Sequence, residues 1–272
     1  MTRLVRPLSR SFLALTLVWA APAFGGYVLT DQDGSPTWIS AGKVRTEKRE
    51  SDESIVIDLA SGKMTLIRHT EKTYATGTPE ELCSALERAM EKMKQTLPKE
   101  ARDAMEQMRG QKPGADQRAK APAVVVSSAG KGEPIAGFAT EKYAVKLDGK
   151  PYEEIWITAD SGLLKEFTDP AKWIALEQRM EKCMASELAG TGGSQGPESS
   201  PEYQKLMQKG FVLKSVRVDP TASVGRPDTL VVKAETKSIP ESDFQAPKGY
   251  RKLTLEEMIE ASIAGAVEGK EE

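Results

Sequence analysis

The sequence predicts an α+β protein built on one long, curved antiparallel sheet. The expected shape is a half-open β-barrel of about eleven strands with helical insertions covering its concave face. Short β-branched and aromatic segments, separated by turn signals, occur in three groups along the chain. Helices interrupt these groups without alternating strand by strand, which disfavours a parallel sheet. A long antiparallel sheet tends to curl, and amphipathic helices need an apolar surface to cover.

The first group of predicted strands lies within residues 26–76. Glycines in Asp33-Gly34, Ala41-Gly42 and Ser61-Gly62 mark turns in which a positive φ is expected. Strands joined by such short turns form an antiparallel meander. The predicted strands are Gly26–Thr30, Pro36–Ser40, Lys43–Arg49, Ser54–Leu59, Met64–Arg68 and Lys72–Thr76.

Two helical insertions are predicted, at residues 79–109 and 163–208. The first begins at Thr78-Pro79-Glu80-Glu81, which combines a capping box with proline at the first helical position. In the second, Asp169-Pro170 starts a helix that stops at Gly190. Each has an apolar stripe at helical spacing. The stripes are Leu82, Leu86, Met90, Met93 and Leu97, continuing after Pro98 with Ala101, Ala104, Met105 and Met108, and then Trp173, Leu176, Met180, Cys183 and Leu188.

Strands resume after each insertion, so residues 26–272 are expected to form a single domain. Asp148-Gly149 predicts a hairpin turn, and the Gly- and Ser-rich stretch 190–201 predicts a flexible loop. A short helix, Leu255–Ala264, is expected near the C-terminus. The later predicted strands are Ala123–Ser127, Gly137–Leu147, Tyr152–Thr158, Phe211–Val218 and Thr229–Ile239.

The first 25 residues have the pattern of a secretory signal peptide. Arg3, Arg6 and Arg10 precede an apolar run that ends in small residues, and we expect cleavage after Gly25. The apolar run is shorter than the roughly 20 residues that span a bilayer, and the first cysteine is Cys83, so no lipid anchor is expected. The sequence therefore predicts a soluble periplasmic or secreted protein without an integral membrane span.

Composition argues against nucleic acid as a partner. The predicted signal peptide carries three of the 38 basic residues and none of the 40 acidic ones, so the remaining chain has five more acidic than basic residues. Nucleic-acid binding depends largely on basic side chains that neutralise phosphates.

Cys83 and Cys183 are the two cysteines of the chain. In an oxidising compartment they are expected to form one disulfide bond that closes a loop of roughly 100 residues. The alternative is a pair of buried free thiols on helices that are not neighbours.

A set of short segments spread over residues 54–250 resembles an uncharacterised family of exported bacterial proteins. That family is in turn similar to the LolA/LolB-type lipoprotein carriers, whose half-barrels shield acyl chains under a helical lid. The resemblance implies the same fold and compartment, and by analogy a lipid-like ligand. It implies no catalytic residues. The matching segments are Ser54–Asp58, Lys63–Ile67 with Tyr74, Ile135–Gly137 with Glu141–Tyr143, Glu154–Ile157, Lys209–Lys214, Ile239–Pro240, Phe244, Pro247 and Gly249–Tyr250.

No catalytic, cofactor-binding or metal-binding residues are predicted, and the chain is not expected to be an enzyme. His69 is the single histidine, and no nucleophile motif or metal-ligand spacing surrounds it, so it is interpreted as a surface turn residue. Asp31-Gln32-Asp33-Gly34 lacks the later acids of a calcium loop and is interpreted as a hairpin turn.

Ten methionines are the least ordinary feature of the composition. Packing in a core or lid is one explanation, and a deformable lid over a flexible apolar ligand is another; copper binding has little support without Met-His clusters. The first functional hypothesis is a carrier that holds a hydrophobic or lipid-like ligand. The second is an envelope structural or interaction protein with a filled core, whose partner is another envelope protein. Candidate ligand contacts are Met90, Met93, Met105, Met108, Trp156 and Trp173.

Overall fold

The computed structural model describes residues 25–48, 50–96, 122–188, 197–218 and 228–268, without the side chains of 181–188, Ser199 and 264–268. Twelve strands and five helices are defined in these ranges. The strands are β1 (Gly25–Asp31), β2 (Pro36–Ser40), β3 (Lys43–Lys48), β4 (Glu53–Asp58), β5 (Lys63–Arg68), β6 (Thr73–Gly77), β7 (Val124–Lys131), β8 (Glu141–Leu147), β9 (Lys150–Thr158), β10 (Phe211–Arg217), β11 (Thr229–Ser238) and β12 (Arg251–Lys252). The helices are α1 (Pro79–Thr96), α2 (Ser161–Phe167), α3 (Pro170–Leu188), α4 (Pro201–Met207) and α5 (Leu255–Glu268).

All twelve strands belong to one curved, unclosed sheet in the order β12-β6-β5-β4-β3-β2-β1-β11-β10-β9-β8-β7. Neighbours pair antiparallel except β12, which runs parallel to β6. The predicted α+β class, with a half-open antiparallel barrel and helical insertions, is confirmed. The strand missed by the sequence analysis is the two-residue β12. Pairing between β10 and β11 is limited to Lys214 with Leu230 and Ser215 with Thr229.

The sheet is covered on both faces. Adjacent residues of a strand point to opposite faces, so neighbouring buried residues mark two separate cores. Leu29 lies in a core cluster with Ile39, Val44 and Leu213 on the face that carries α2. The neighbouring Val28 lies in a second cluster on the opposite face. Residues 239–250 cover that opposite face through Ile239, Phe244, Ala246 and Tyr250.

Helix α2 is capped at its N-terminus and bonded near its C-terminus to the turn between β2 and β3. The Asp160 side chain accepts a hydrogen bond from the Leu163 backbone N–H at 2.9 Å and caps the N-terminus. Near the C-terminus, the Glu166 carboxylate accepts from the Ala41 N–H at 3.0 Å, and the Glu166 carbonyl accepts from the Gly42 N–H at 2.8 Å. Leu163 is fully buried between these anchors.

The predicted capping box at the start of α1 is confirmed. The Thr78 hydroxyl accepts from the Glu81 N–H at 3.3 Å, and the Glu81 carboxylate accepts from the Thr78 N–H at 2.8 Å. Helix α1 packs mainly against α3 and α5. Arg88 pairs with Glu256 of α5 at 2.7 Å.

His69 lies in a turn, as the sequence analysis predicts, but its side chain is tied to two other side chains. It is half-buried in the turn between β5 and β6, where its Nε2 lies 2.7 Å from the Ser54 hydroxyl and its Nδ1 lies 3.0 Å from the Tyr250 hydroxyl. Ser54 is only 1% exposed, so its hydroxyl is closed to solvent. The three side chains join the sheet to segment 239–250.

The described helices include none that is both long and apolar enough to cross a membrane. The predicted signal peptide lies outside the described residues, apart from Gly25. The part of the first insertion that follows Thr96, including Met105 and Met108, also lies outside them.

Candidate functional site

Helix α3 presents one face towards the sheet. Pro170 is its first residue, and the Asp169 carboxylate accepts from the Ala171 N–H at 2.9 Å, which stabilises the N-terminus. Ile174 and Leu176 are buried. Trp173, Leu176 and Met180 recur three and four residues apart, so they share a face of the helix.

Helix α4 is the element that the sequence analysis missed, because residues 190–201 were interpreted as a loop and no helix was expected after them. The Ser200 hydroxyl accepts from the Tyr203 N–H at 3.2 Å, and Pro201 is the first helical residue. Leu206, 1% exposed, inserts among residues of β8 and β9. That burial holds Tyr203 and Met207 of α4 opposite α3.

A groove of about 440 Å³ lies between α3, α4 and the sheet. We call it the α3–α4 groove. On the sheet, Ile57 of β4 and its pairing partner Met64 of β5 line it. The helices contribute Trp173, Ile174, Leu176, Glu177, Gln178, Met180, Tyr203, Gln204 and Met207, and Glu198 precedes α4.

A second lobe of about 190 Å³ lies directly beside this groove, and Trp173, Ile174, Glu177 and Met207 line both spaces. Phe167 and Phe211 border the second lobe. The Phe167 ring lies 5.4 Å from Trp173 and 5.5 Å from Phe211, measured between ring centroids. Apolar and aromatic side chains therefore dominate the lining of both lobes.

Three carboxylates lie in or beside the groove, those of Glu177, Glu198 and Glu153. The Trp173 Nε1–H donates to the Glu177 carboxylate at 2.6 Å. Glu198 lies 3.9 Å from Arg217. The Tyr203 hydroxyl donates to Glu153 at 3.1 Å, and Glu153 is only 7% exposed.

Burial is the main cause that raises the pKa of Glu153, and the nearby charge of Glu198 raises it further. The hydrogen bond from Tyr203 and the positive charge of Arg217 act in the opposite direction. Burial and the charge of Glu153 also raise the pKa of Tyr203, which keeps its phenol neutral.

Replacing Glu153 with glutamine is expected to stabilise the protein at neutral pH. Because the folded-state pKa of Glu153 is raised, its favourable contribution is complete below the unfolded-state pKa and is lost as pH rises through the folded value. Glu153→Gln should therefore raise the melting temperature at pH 7 and make little difference at pH 4. The control variant Glu87→Gln, at an exposed site of α1, should lack this pH dependence; an equal response of both variants would contradict the assignment.

The structure brings together only part of the predicted ligand set. Trp173 lines the groove, whereas Trp156 is buried in the core beside Lys142 and Lys214, whose ammonium groups lie 4.7 and 4.4 Å from its ring centroid. Met90 and Met93 are half-buried on α1, outside the lining of the groove. Three methionines that line the groove are absent from the predicted ligand set: Met64, Met180 and Met207.

A smaller polar cleft of about 370 Å³ lies near β8 and the start of α2. The Lys209 ammonium group lies over the ring of Tyr143 and donates a hydrogen bond to the Tyr143 hydroxyl at 3.1 Å. Burial raises the pKa of Tyr143, and the hydrogen bond with Glu141 raises it further. Lys209, Tyr143 and Glu141 thus bond to one another in this cleft, whereas Thr140, Thr158 and Asp160 bond to backbone groups.

The described residues contain no group of three or more His, Cys, Asp or Glu side chains placed to hold a metal ion. Cys83 is half-buried on α1. Helix α1 packs against α3, the helix that carries Cys183. The Cys183 side chain lies outside the described residues, so the Cys83–Cys183 pairing stays a prediction.

Comparison with known proteins identifies no family for this chain. No family model matches the chain, and no curated protein matches it. Among solved structures, the chain is similar to an uncharacterised conserved protein from Thermus thermophilus, with 10% sequence identity and a TM-score of 0.37 over 86% of this chain and 91% of that one.

Proposed function

We propose that this protein is exported and binds a hydrophobic, lipid-like ligand in the α3–α4 groove. The observation that carries the proposal is the pair of adjacent spaces of about 440 and 190 Å³ between helices and sheet. Small-molecule sites are concave, mostly apolar, and typically about 300–1,000 Å³ in volume. The groove has these properties.

The side chains of the groove suit a flexible ligand better than a rigid one. Met64, Met180 and Met207 approach it from the sheet, α3 and α4 respectively. Thioether side chains rotate easily and adapt to irregular apolar shapes. An acyl or alkyl chain would therefore be accommodated by rearranging methionine side chains, without opening the sheet.

Export is a separate part of the proposal and rests on the first 25 residues, with their arginines, apolar run and small residues. The resemblance to lipoprotein carriers agrees with both parts but was drawn from sequence alone. N-terminal sequencing of the protein from a periplasmic extract tests export. An N-terminus at Met1 would contradict it.

Filling the groove should abolish binding of an apolar probe. Met207 lines both lobes, so Met207→Trp places extra volume where they adjoin. We expect the wild type to bind N-phenyl-1-naphthylamine with increased probe fluorescence, and the variant to bind it at least about tenfold more weakly, since burying apolar area provides most of the affinity.

The matched control is Gln208→Trp, which adds the same side chain at the exposed next position. It should keep wild-type affinity, and the melting temperatures of both variants should show that they fold. Unchanged probe binding in a folded Met207→Trp variant, or no binding by the wild type, would contradict the proposal.

A further inference from the structure

The charges around the α3–α4 groove restrict the chemistry of its ligand. Among the described residues that line either lobe, Glu177 and Glu198 carry charge, and none is a lysine or arginine. Tyr203 is kept neutral, because burial and the charge of Glu153 raise its pKa. Arg217 lies 3.9 Å from Glu198 and partly compensates its charge, but it is outside the lining. The described lining itself therefore offers negative charge to a ligand, with Glu177 as the main contributor.

The Trp173 side chain is a second reason to expect a positively charged group on the ligand. Its indole lines both lobes, and its Nε1–H donates to Glu177 at 2.6 Å. The faces of tryptophan rings attract cations, and aromatic groups beside carboxylates recognise ammonium groups in this way. A cation near Trp173 would meet both the ring and the Glu177 carboxylate.

We propose that the ligand of the α3–α4 groove is an amphiphile with an apolar chain and a cationic amine or quaternary ammonium end placed at Trp173 and Glu177. The inference rests on the proposed function, since it assigns the class of ligand for the same groove. A free fatty acid would instead place a carboxylate beside two others.

Three surfactants of equal chain length separate these ligand classes. Dodecyltrimethylammonium, dodecanol and dodecanoate are titrated, below the concentrations at which they form micelles, against wild-type protein with N-phenyl-1-naphthylamine bound. We expect dodecyltrimethylammonium to displace the probe at a concentration about tenfold lower than dodecanoate, with dodecanol between them, because each exposed carboxylate changes the affinity for a charged end group by only a few fold.

The variant Glu177→Gln keeps an acceptor for the Trp173 Nε1–H and removes the charge. It should reduce the preference for the cation over dodecanoate by about threefold to fivefold. Glu202→Gln makes the same change of net charge at an exposed site of α4 away from the groove. It should leave the preference unchanged, which distinguishes the groove from the overall acidity of the chain.

The outcomes are distinct. If dodecanoate competes as well as or better than the cation, or if Glu177→Gln changes the preference no more than Glu202→Gln does, the assignment of a cationic ligand is wrong while the proposed function stands. If the wild type binds neither the neutral probe nor any of the three surfactants, the proposed function itself fails.

Discussion

Removing the predicted disulfide is expected to lower the free energy of unfolding by about 4–5 kcal/mol, because a bond between Cys83 and Cys183 closes a loop of roughly 100 residues and restricts the unfolded chain. The packing of α1 against α3 supports the pairing. Arg179 of α3 also lies 3.4 Å from Glu80 of α1. The change is measured by urea unfolding of the Cys83→Ser/Cys183→Ser double variant.

Reduction of the wild-type protein is the control for this prediction. A reducing agent should lower the unfolding midpoint of the wild type to that of the double variant and should not affect the double variant itself. Two titratable thiols in the untreated wild type would show that Cys83 and Cys183 are not bonded. The alternative of two buried free thiols would then stand.

The second large effect is expected at Leu206, which anchors α4. Its side chain is 1% exposed and packs against Tyr143, Val145, Ile155 and Ile157. Leu206→Ala removes that packing and leaves a cavity, so we expect the free energy of unfolding to fall by about 3 kcal/mol. Binding of N-phenyl-1-naphthylamine should also weaken, because Tyr203 and Met207 depend on α4 for their positions.

Leu206→Met is the conservative comparison. It keeps an apolar side chain of similar volume and should cost less than about 1.5 kcal/mol. Equal losses for alanine and methionine would indicate that shape and not buried volume determines stability at this site. A Leu206→Ala variant with wild-type stability would contradict the assigned role of Leu206.

The alternation of strands and turns along residues 26–76 was sufficient to predict the meander, because each strand pairs with its neighbour in the chain. The same reasoning could not find β12. Its Arg251 N–H donates to the Lys72 carbonyl at 2.8 Å, a pairing between residues far apart in sequence. Two residues also leave no periodic pattern to detect.

Helix α4 could have been predicted from its first residues. Ser200-Pro201 repeats the arrangement of a capping hydroxyl followed by proline that marks α1 at Thr78-Pro79. The helix has only seven residues and follows a Gly- and Ser-rich stretch, so the apolar spacing of Tyr203 and Leu206 was too short to stand out. The sequence analysis therefore missed the side of the groove that α4 forms.

The misplacement of Trp156 has a different cause. Ile155, Trp156 and Ile157 are all buried, because this part of β9 is covered on both faces. Trp156 lies in the cluster with Leu163 and Phe167 of α2, whereas Ile155 and Ile157 pack with Leu206 of α4, so both faces meet helices. Strand periodicity separates the residues into two faces but does not tell which helix each face meets. Trp173 lies in the apolar stripe of α3 that helical spacing predicts, and it lines the groove.

The most direct test of the α3–α4 groove is methyl NMR of protein labelled with carbon-13 at the methionine methyl groups. On saturation with N-phenyl-1-naphthylamine, the methyl signals of Met64, Met180 and Met207 should shift, whereas those of Met90 and Met93 on α1 should not. Unshifted signals from the three groove methionines under conditions where the probe is bound would contradict the account.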